Sequence, residues 1–256
     1  MIIAIDIGNS NVVIGVHDGE LWRHTWRLPT LVEETMLFYE MRLADHLLEA
    51  GIRPDMVKQV VLSSVVPPLT SFFVELSQIL FHQKALIVGP DVYPALSLRI
   101  DRPHEIGADL VANAAAAHHR FQQDCIIVDF GTALTFTVVT GEGYILGVAI
   151  APGLRTAVSS LFQKTAQLPE VPLELPQSAV GKNTAHAIQS GILLGYVGLV
   201  RHLLAEIRVE LGEHYIAIAT GGLSSILHPL RHDFHAIEPH LTLDGLRVIG
   251  EATAGK

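Results

Sequence analysis

The sequence predicts an α/β protein built from two copies of one strand-led unit. Three observations carry this reading. A run that ends in a carboxylate and a glycine occurs twice, as Ile3-Ala4-Ile5-Asp6-Ile7-Gly8 and as Ile126-Ile127-Val128-Asp129-Phe130-Gly131. Asp6 falls on Asp129 and Gly8 on Gly131 with the same offset of 123 residues, close to half of the 256-residue chain. Each copy is followed by two further apolar runs joined by turn residues, and then by helical patterns, as expected of duplicated domains.

The elements follow in order. β-Branched residues suit a buried strand, and each opening strand places its carboxylate just before a Gly-containing turn. The second strands close at Asp18-Gly19 and at Gly141-Glu142-Gly143, which are hairpin signals. Third strands are expected at Leu21 to Leu28 and Tyr144 to Ile150, so both halves open with a three-stranded meander. Glu33 to Ala50 is rich in Leu, Met and Glu and stops at Gly51, a helix with a C-terminal glycine. A strand at Val60 to Val66, closed by Pro67-Pro68, precedes a helix from Leu69 to Phe81. A short strand at Ala85 to Val88 and an Ala-rich helix from Ile106 to Phe121 complete the first half.

In the second half, Thr184 is expected to cap a long helix reaching Leu211. A strand from Tyr215 to Ala219, the turn Thr220-Gly221-Gly222, a short helix and a final helix from Leu243 follow. No low-complexity linker separates the halves. Domains 1–122 and 123–256 are therefore expected to pack with a cleft between them.

Composition narrows the function. Half the residues are hydrophobic (49%) and 17% are charged, which disfavours disorder. The net charge of −9 argues against nucleic-acid binding through clustered Lys and Arg. The single cysteine, Cys125, abuts the apolar run Ile126-Ile127-Val128 and reads as a buried inert thiol. The start of the chain lacks the basic stretch of a signal peptide, and the apolar stretch Gly191 to Val200 is closed by Arg201, too short for a bilayer. A soluble cytoplasmic protein with no membrane partner is expected.

The duplicated turns point to phosphate. A glycine between two strands lets backbone N–H groups approach phosphate oxygens. The carboxylates beside them would repel a triphosphate, so each implies a cation. Asp6 suits Mg²⁺ held through water, and Asp129 suits a second cation. Asn9, Ser10, Asn11, Thr132 and Thr135 add neutral polar groups. One copy alone would be read as a carboxylate capping a turn; the pair favours a phosphate clamp. Neither a Gly-x-x-x-x-Gly-Lys-Ser/Thr loop nor a protein-kinase signature is present. Thr220-Gly221-Gly222 fits a platform for a nucleotide base or an ordinary strand–helix turn. In Gly107-Ala108-Asp109-Leu110, Asp109 enters the first turn of a helix; general base and plain helix-start carboxylate both remain open. His228, His232 and His235 read as loop histidines rather than a metal site, and His118-His119 as favourable charge near a helix C-terminus.

Taken in order, these motifs resemble the type III pantothenate kinases, a branch of the sugar-kinase, heat-shock-protein and actin superfamily. The resemblance runs over essentially the whole chain. It rests on Asp6-Ile7-Gly8-Asn9-Ser10-Asn11, Gly107-Ala108-Asp109, Asp129-Phe130-Gly131-Thr132-Ala133, Pro152-Gly153, Gly181-Lys182-Asn183-Thr184, Ala187-Ile188-Gln189-Ser190-Gly191 and Thr220-Gly221-Gly222. It implies duplicated actin-like (ribonuclease H-like) domains and ATP-dependent phosphorylation of pantothenate, the first step towards coenzyme A. It also implies a homodimer, Mg²⁺, and a monovalent cation, K⁺ or NH₄⁺.

Carried onto this chain, the resemblance assigns ATP binding to Asp6, Ile7, Gly8, Asn9, Ser10, Asn11, Val12, Val13 and Thr132. It assigns the monovalent cation to Asp129. Tyr93, Gly107, Ala108, Asp109, Leu110 and Thr184 face the substrate, with Asp109 as proton acceptor and Thr184 near the dimer interface. Two positions depart from the family pattern. Ser10 stands where Thr is common and keeps the hydroxyl. Leu110 stands where Arg is usual and removes donors for an anionic substrate. This second departure raises a competing reading, a related phosphotransferase with a shifted substrate. A third reading, a non-catalytic nucleotide-binding regulatory relative, is opposed by the retention of Asp6, Asp109 and Asp129.

Overall fold

The computed structural model describes residues 1–222, 226 and 228–254. It forms two compact units: the first is Met1–His119 together with the chain from Thr242, and the second is Arg120–Leu241.

The first unit opens with β1 (Ile2–Ile7), β2 (Asn11–His17) and β3 (Trp22–Pro29), then α1 (Met36–Glu49), β4 (Gln59–Ser64), α2 (Pro67–Phe81), β5 (Leu86–Ile87) and α3 (Ala108–Phe121). Its sheet runs β3-β2-β1-β4-β5. The β1–β2 and β2–β3 pairs are antiparallel, while β1–β4 and β4–β5 are parallel. The second unit repeats this strand order. It comprises β6 (Cys125–Phe130), β7 (Ala133–Val139), β8 (Ile145–Pro152), α4 (Leu154–Lys164), α5 (Thr184–Gln189), a π-helical stretch at Ser190–Leu194, α6 (Gly195–Leu211), β9 (Ile216–Thr220) and β10 (Ala236–Ile237). Its sheet runs β10-β9-β6-β7-β8, again a meander extended by parallel strands.

Strand alternation decides which side chains reach the core. Ile3, Ile5 and Ile7 of β1 join one cluster with Tyr39, Leu43 and Leu47 of α1 and with Leu69, Phe73 and Leu76 of α2. Asp6 therefore lies on the opposite face of that sheet. In the second unit Ile126, Val128 and Phe130 pack with Tyr196, Val197, Val200 and Leu204 of α6, and Asp129 takes the opposite face. Asp6 thus lies on the face opposite α1 and α2, and Asp129 on the face opposite α6. The Cys125 thiol is fully buried and its pKa is pushed up to about 12, chiefly by burial, as befits an inert thiol.

Helix ends show the local chemistry. Helix α1 stops in a Schellman arrangement. Gly51 adopts φ +66, its N–H donates to Leu48, and the Ile52 N–H donates to Leu47. Helix α2 begins at Pro67, two residues before the expected start, because a first-turn proline has no helical partner to lose. In place of Thr184, Asn183 caps α5, its Oδ1 accepting the His186 N–H at 2.9 Å. The continuous helix expected up to Leu211 is broken by the π-helical stretch.

The expected halves 1–122 and 123–256 differ from the observed units in one element. Helix α7 (Leu241–Ala254) belongs almost wholly with the first unit instead of ending the second. Gly245 makes this fit: a Cβ there would lie 2.8 Å from the Cα of Ala112 on α3. Trp22 Nε1 donates to Asp244 at 2.8 Å, Thr242 Oγ1 to Asn113 at 2.8 Å, and Gln59 Nε2 to the Gly250 carbonyl at 3.0 Å. The short helix expected between Gly222 and the final helix is present as a 3₁₀ stretch at His228–Asp233, while residues 223–225 and 227 lie outside the described residues.

Candidate active site

Asp6 ends β1 with Val13 and Ser63 as its cross-strand neighbours. Asp129 ends β6 with Thr135 and Thr220 as its own. The turns that follow are closed alike. The Gly8 N–H donates to the Asn11 carbonyl at 3.0 Å, and the Gly131 N–H donates to Ala133 at 3.1 Å. The second turn is one residue shorter, since Ile7 pairs with Val12 but Phe130 with Leu134.

Asn9, Ser10 and Thr132 are exposed at the turn tips. Ile7 and Val12, by contrast, are fully buried. They can serve a ligand only through their backbone.

The donor set fits a cation beside each carboxylate. Among the described residues, the buried hydroxyls of Ser63 and Thr135 have no hydrogen-bond partner, and each is the cross-strand neighbour of one of these aspartates. Such orphan oxygens are rare in native proteins and suit an oxygen-loving ion. Gly221, at φ +91, adds space beside Asp129: a Cβ there would meet Asp129 Oδ1 at 2.5 Å and the Phe130 nitrogen at 2.7 Å.

Asp109, expected as a proton acceptor, lies in the first unit. Gly107 precedes α3, and a Cβ on it would crowd Asp109 Oδ1 at 2.5 Å. Asp109 Oδ1 accepts the Leu110 N–H at 2.9 Å. Burial raises the Asp109 pKa, opposed by backbone N–H donors from Leu110 and Asp109 itself. Tyr93, 5% exposed in the turn Tyr93–Ala95, is held above its usual range by burial and then by the charge of Asp109. The structure thus brings Tyr93, Gly107, Ala108, Asp109 and Leu110 together. Leu110 is itself buried, with 8% exposure.

Thr184 belongs to the second unit, on the rim of an aliphatic cavity of about 280 Å³ lined by Leu161, Leu168, Ile188 and Ile192. Of the histidine segment, Asp233 is engaged by Arg201 Nε at 3.0 Å. Among the described residues no group of three or more His, Cys, Asp or Glu gathers in metal-binding geometry, and no helix is long and apolar enough to cross a membrane.

Sequence reasoning missed α4 and the two threonines that brace the turns. Thr30 Oγ1 donates to the Gly8 carbonyl at 2.6 Å, and Thr156 Oγ1 to the Thr132 carbonyl at 2.8 Å. One signal was available: Pro29 and Pro152, which end β3 and β8, are also 123 residues apart.

Comparison with known proteins agrees with this arrangement. MreB 5 of Spiroplasma citri bound to AMPPNP shares the fold at a TM-score of 0.56 and 10% identity, covering 99% of this chain and 97% of that one. The activator of 2-hydroxyisocaproyl-CoA dehydratase from Clostridium difficile, with bound ADPNP, does so at 0.53 and 11%, covering 99% and 96%. Both place the chain among actin-like folds. At the sequence level, the type III pantothenate kinase of Geobacter sulfurreducens is 39% identical over 251 residues, covering 98% of each chain. That of Dehalococcoides mccartyi is 40% identical over 248 residues, covering 97% of this chain and 96% of its own. The profile of the type III pantothenate kinases matches residues 2–206. The chain belongs to the type III pantothenate kinase family.

Proposed function

We propose that this chain transfers the γ-phosphoryl group of ATP to the primary hydroxyl of pantothenate, giving 4′-phosphopantothenate and ADP at the first step of coenzyme A biosynthesis. The observation that carries the reading is Asp109, a half-buried carboxylate at a helix start beside Tyr93, in a chain aligned with family members along 98% of its length. Asp109 orients the hydroxyl and takes its proton as the phosphoryl group moves to the oxygen; a loose transition state asks little more of a base. Tyr93 and the backbone of Gly107 to Leu110 line the same place and shield it from water.

Asp6, the turn from Gly8 to Asn11, and Thr132 take the ATP phosphates. When bound, Mg²⁺ at Asp6 and a monovalent cation, K⁺ or NH₄⁺, at Asp129 neutralise phosphate charge that the two carboxylates would otherwise repel. We assign a homodimer to the helix that starts at Thr184. Gly191, Gly195 and Gly198 have open space around them, with nothing within 4 Å of a Cβ at any of the three. Packing among the described residues does not account for these glycines. A cytoplasmic location fits the metabolic role.

A coupled ADP-release assay with pantothenate, run with and without K⁺, tests the reaction. Turnover should rise on adding K⁺, and Asp129→Asn should lose that rise. Equal rates for the wild type in Na⁺ alone would remove the cation from Asp129.

Leu110 supports a second reading, a shifted substrate, because its buried aliphatic side chain supplies no donor where the family carries Arg. If pantothenate is the substrate, Leu110→Arg should lower its KM with little change in kcat, the signature of uniform binding. Abolished activity would instead reveal a pocket reshaped around leucine and favour the second reading.

A further inference from the structure

Both turns are fastened by the same device, spaced like the aspartates. In the first unit Pro29 ends β3 and Thr30 follows it. The Thr30 N–H donates to the Ser10 carbonyl at 3.1 Å and its hydroxyl donates to the Gly8 carbonyl at 2.6 Å. Tyr39, fully buried on α1, holds this segment from behind. Its hydroxyl accepts the Leu31 N–H at 2.8 Å and lies 3.3 Å from the Pro29 carbonyl.

In the second unit Pro152 ends β8. The Gly153 N–H donates to the Thr132 carbonyl at 2.9 Å, and the Thr156 hydroxyl joins it at 2.8 Å. Tyr196, buried on α6, donates to the Pro152 carbonyl at 2.7 Å.

The two hydroxyls are not copies of each other. An offset of 123 carries Thr30 to Gly153, which has no side chain. The second unit supplies its hydroxyl from one turn further on, out of α4. The carbonyls differ as well: Thr30 holds that of Gly8, whereas Thr156 shares that of Thr132 with the Gly153 N–H. What recurs is a threonine hydroxyl fastened to a turn carbonyl, and its supply from a different position argues for a need common to both turns. Peptide geometry indicates that need. A trans peptide points its C=O and N–H in opposite directions. Drawing the Gly8 carbonyl back to Thr30 turns the Asn9 N–H outward, and drawing the Thr132 carbonyl back does the same for Ala133.

We propose that Thr30 and Thr156, backed by Tyr39 and Tyr196, are positioning residues that aim the turn amides at the phosphates of ATP. The proposal rests on the reading of these turns as phosphate sites. Thr30→Val and Thr156→Val should each raise KM for ATP about fivefold, the worth of one ordinary hydrogen bond. KM for pantothenate should stay put, the melting midpoint should fall by no more than the few degrees one hydrogen bond is worth, and Thr30→Ser and Thr156→Ser should restore the wild-type values. Unchanged KM for ATP, failure of serine to rescue, or a joint shift of both KM values with a lower melting point would each overturn it. Thr156 is exposed, so its variants keep the test decisive if Thr30→Val does not fold. Asp6→Asn separates the two levels. Wild-type ATP kinetics in that variant would sink the phosphate reading itself, whereas impaired kinetics beside normal threonine variants would sink only the positioning role.

Discussion

Asp109→Asn should lose on the order of 10²-fold or more in kcat, the usual worth of a general base, while melting at a higher temperature than the wild type. The two effects share one cause. Burial holds the Asp109 pKa above its ordinary value of 3.8, so folding disfavours its ionised form. For a carboxylate whose folded pKa is raised, this cost is absent below the unfolded pKa, grows between the two values, and is fully present above the folded one. Above that folded value the wild type carries all of it. Asparagine keeps an oxygen for the Leu110 N–H and removes the charge. The same raised pKa should place the acid limb of the kcat/KM profile above pH 3.8, and Asp109→Asn should abolish that limb. Thermal melts and pH profiles on one pair of proteins check all three. Full kcat in the variant would put the base elsewhere, and a lower melting point would mean that the helix-start contact outweighs the buried charge.

Gly221→Ala should destabilise the second unit and remove any response to K⁺. Its φ of +91 costs a side-chain-bearing residue about 1–3 kcal/mol. The new methyl would also press on Asp129 Oδ1 and the Phe130 nitrogen, at 2.5 and 2.7 Å. Gly147→Ala is the control, because nothing lies within 4 Å of a Cβ at that position in β8. Urea unfolding with a K⁺ titration of activity reads both effects. Wild-type stability and K⁺ response in Gly221→Ala would show that the turn relaxes freely and that Asp129 does not depend on it.

Much of this was legible in the residues because it follows from periodicity and punctuation. The alternation of Ile3, Ile5 and Ile7 and the matching Ile126, Val128 and Phe130 mark two strands with their aspartates on the far face. Gly19, at φ +114, and Gly143, at φ +84, mark the hairpins. What escaped depends on contacts between distant segments. Nothing local to Gly245 says that it will meet Ala112, so α7 was placed with the wrong neighbours. Helix α4 follows β8 with only Gly153 between them, and its Leu154, Val158 and Leu161 repeat was hidden beside the Pro152-Gly153 motif. At α5 two adjacent polar residues competed for one capping role, and the asparagine took it. Thr30 and Thr156 look like ordinary turn and helix threonines until the carbonyls they hold are known. Leu110 was recognised as a departure, but only its burial shows how little of it faces solvent.

Helix α7 has a consequence for synthesis on the ribosome. The first unit is discontinuous: the whole of Arg120–Leu241 is translated between its two parts. At elongation rates of about 5–20 residues per second those 122 residues take roughly 6 to 24 seconds. During that interval the Ala112 backbone, the Trp22 indole and the Asn113 amide await Gly245, Asp244 and Thr242. The second unit, continuous in sequence, can fold first. The first unit is therefore the later of the two to be completed, and its α3, with Asp109 in the first turn, gains its final support only once α7 has emerged.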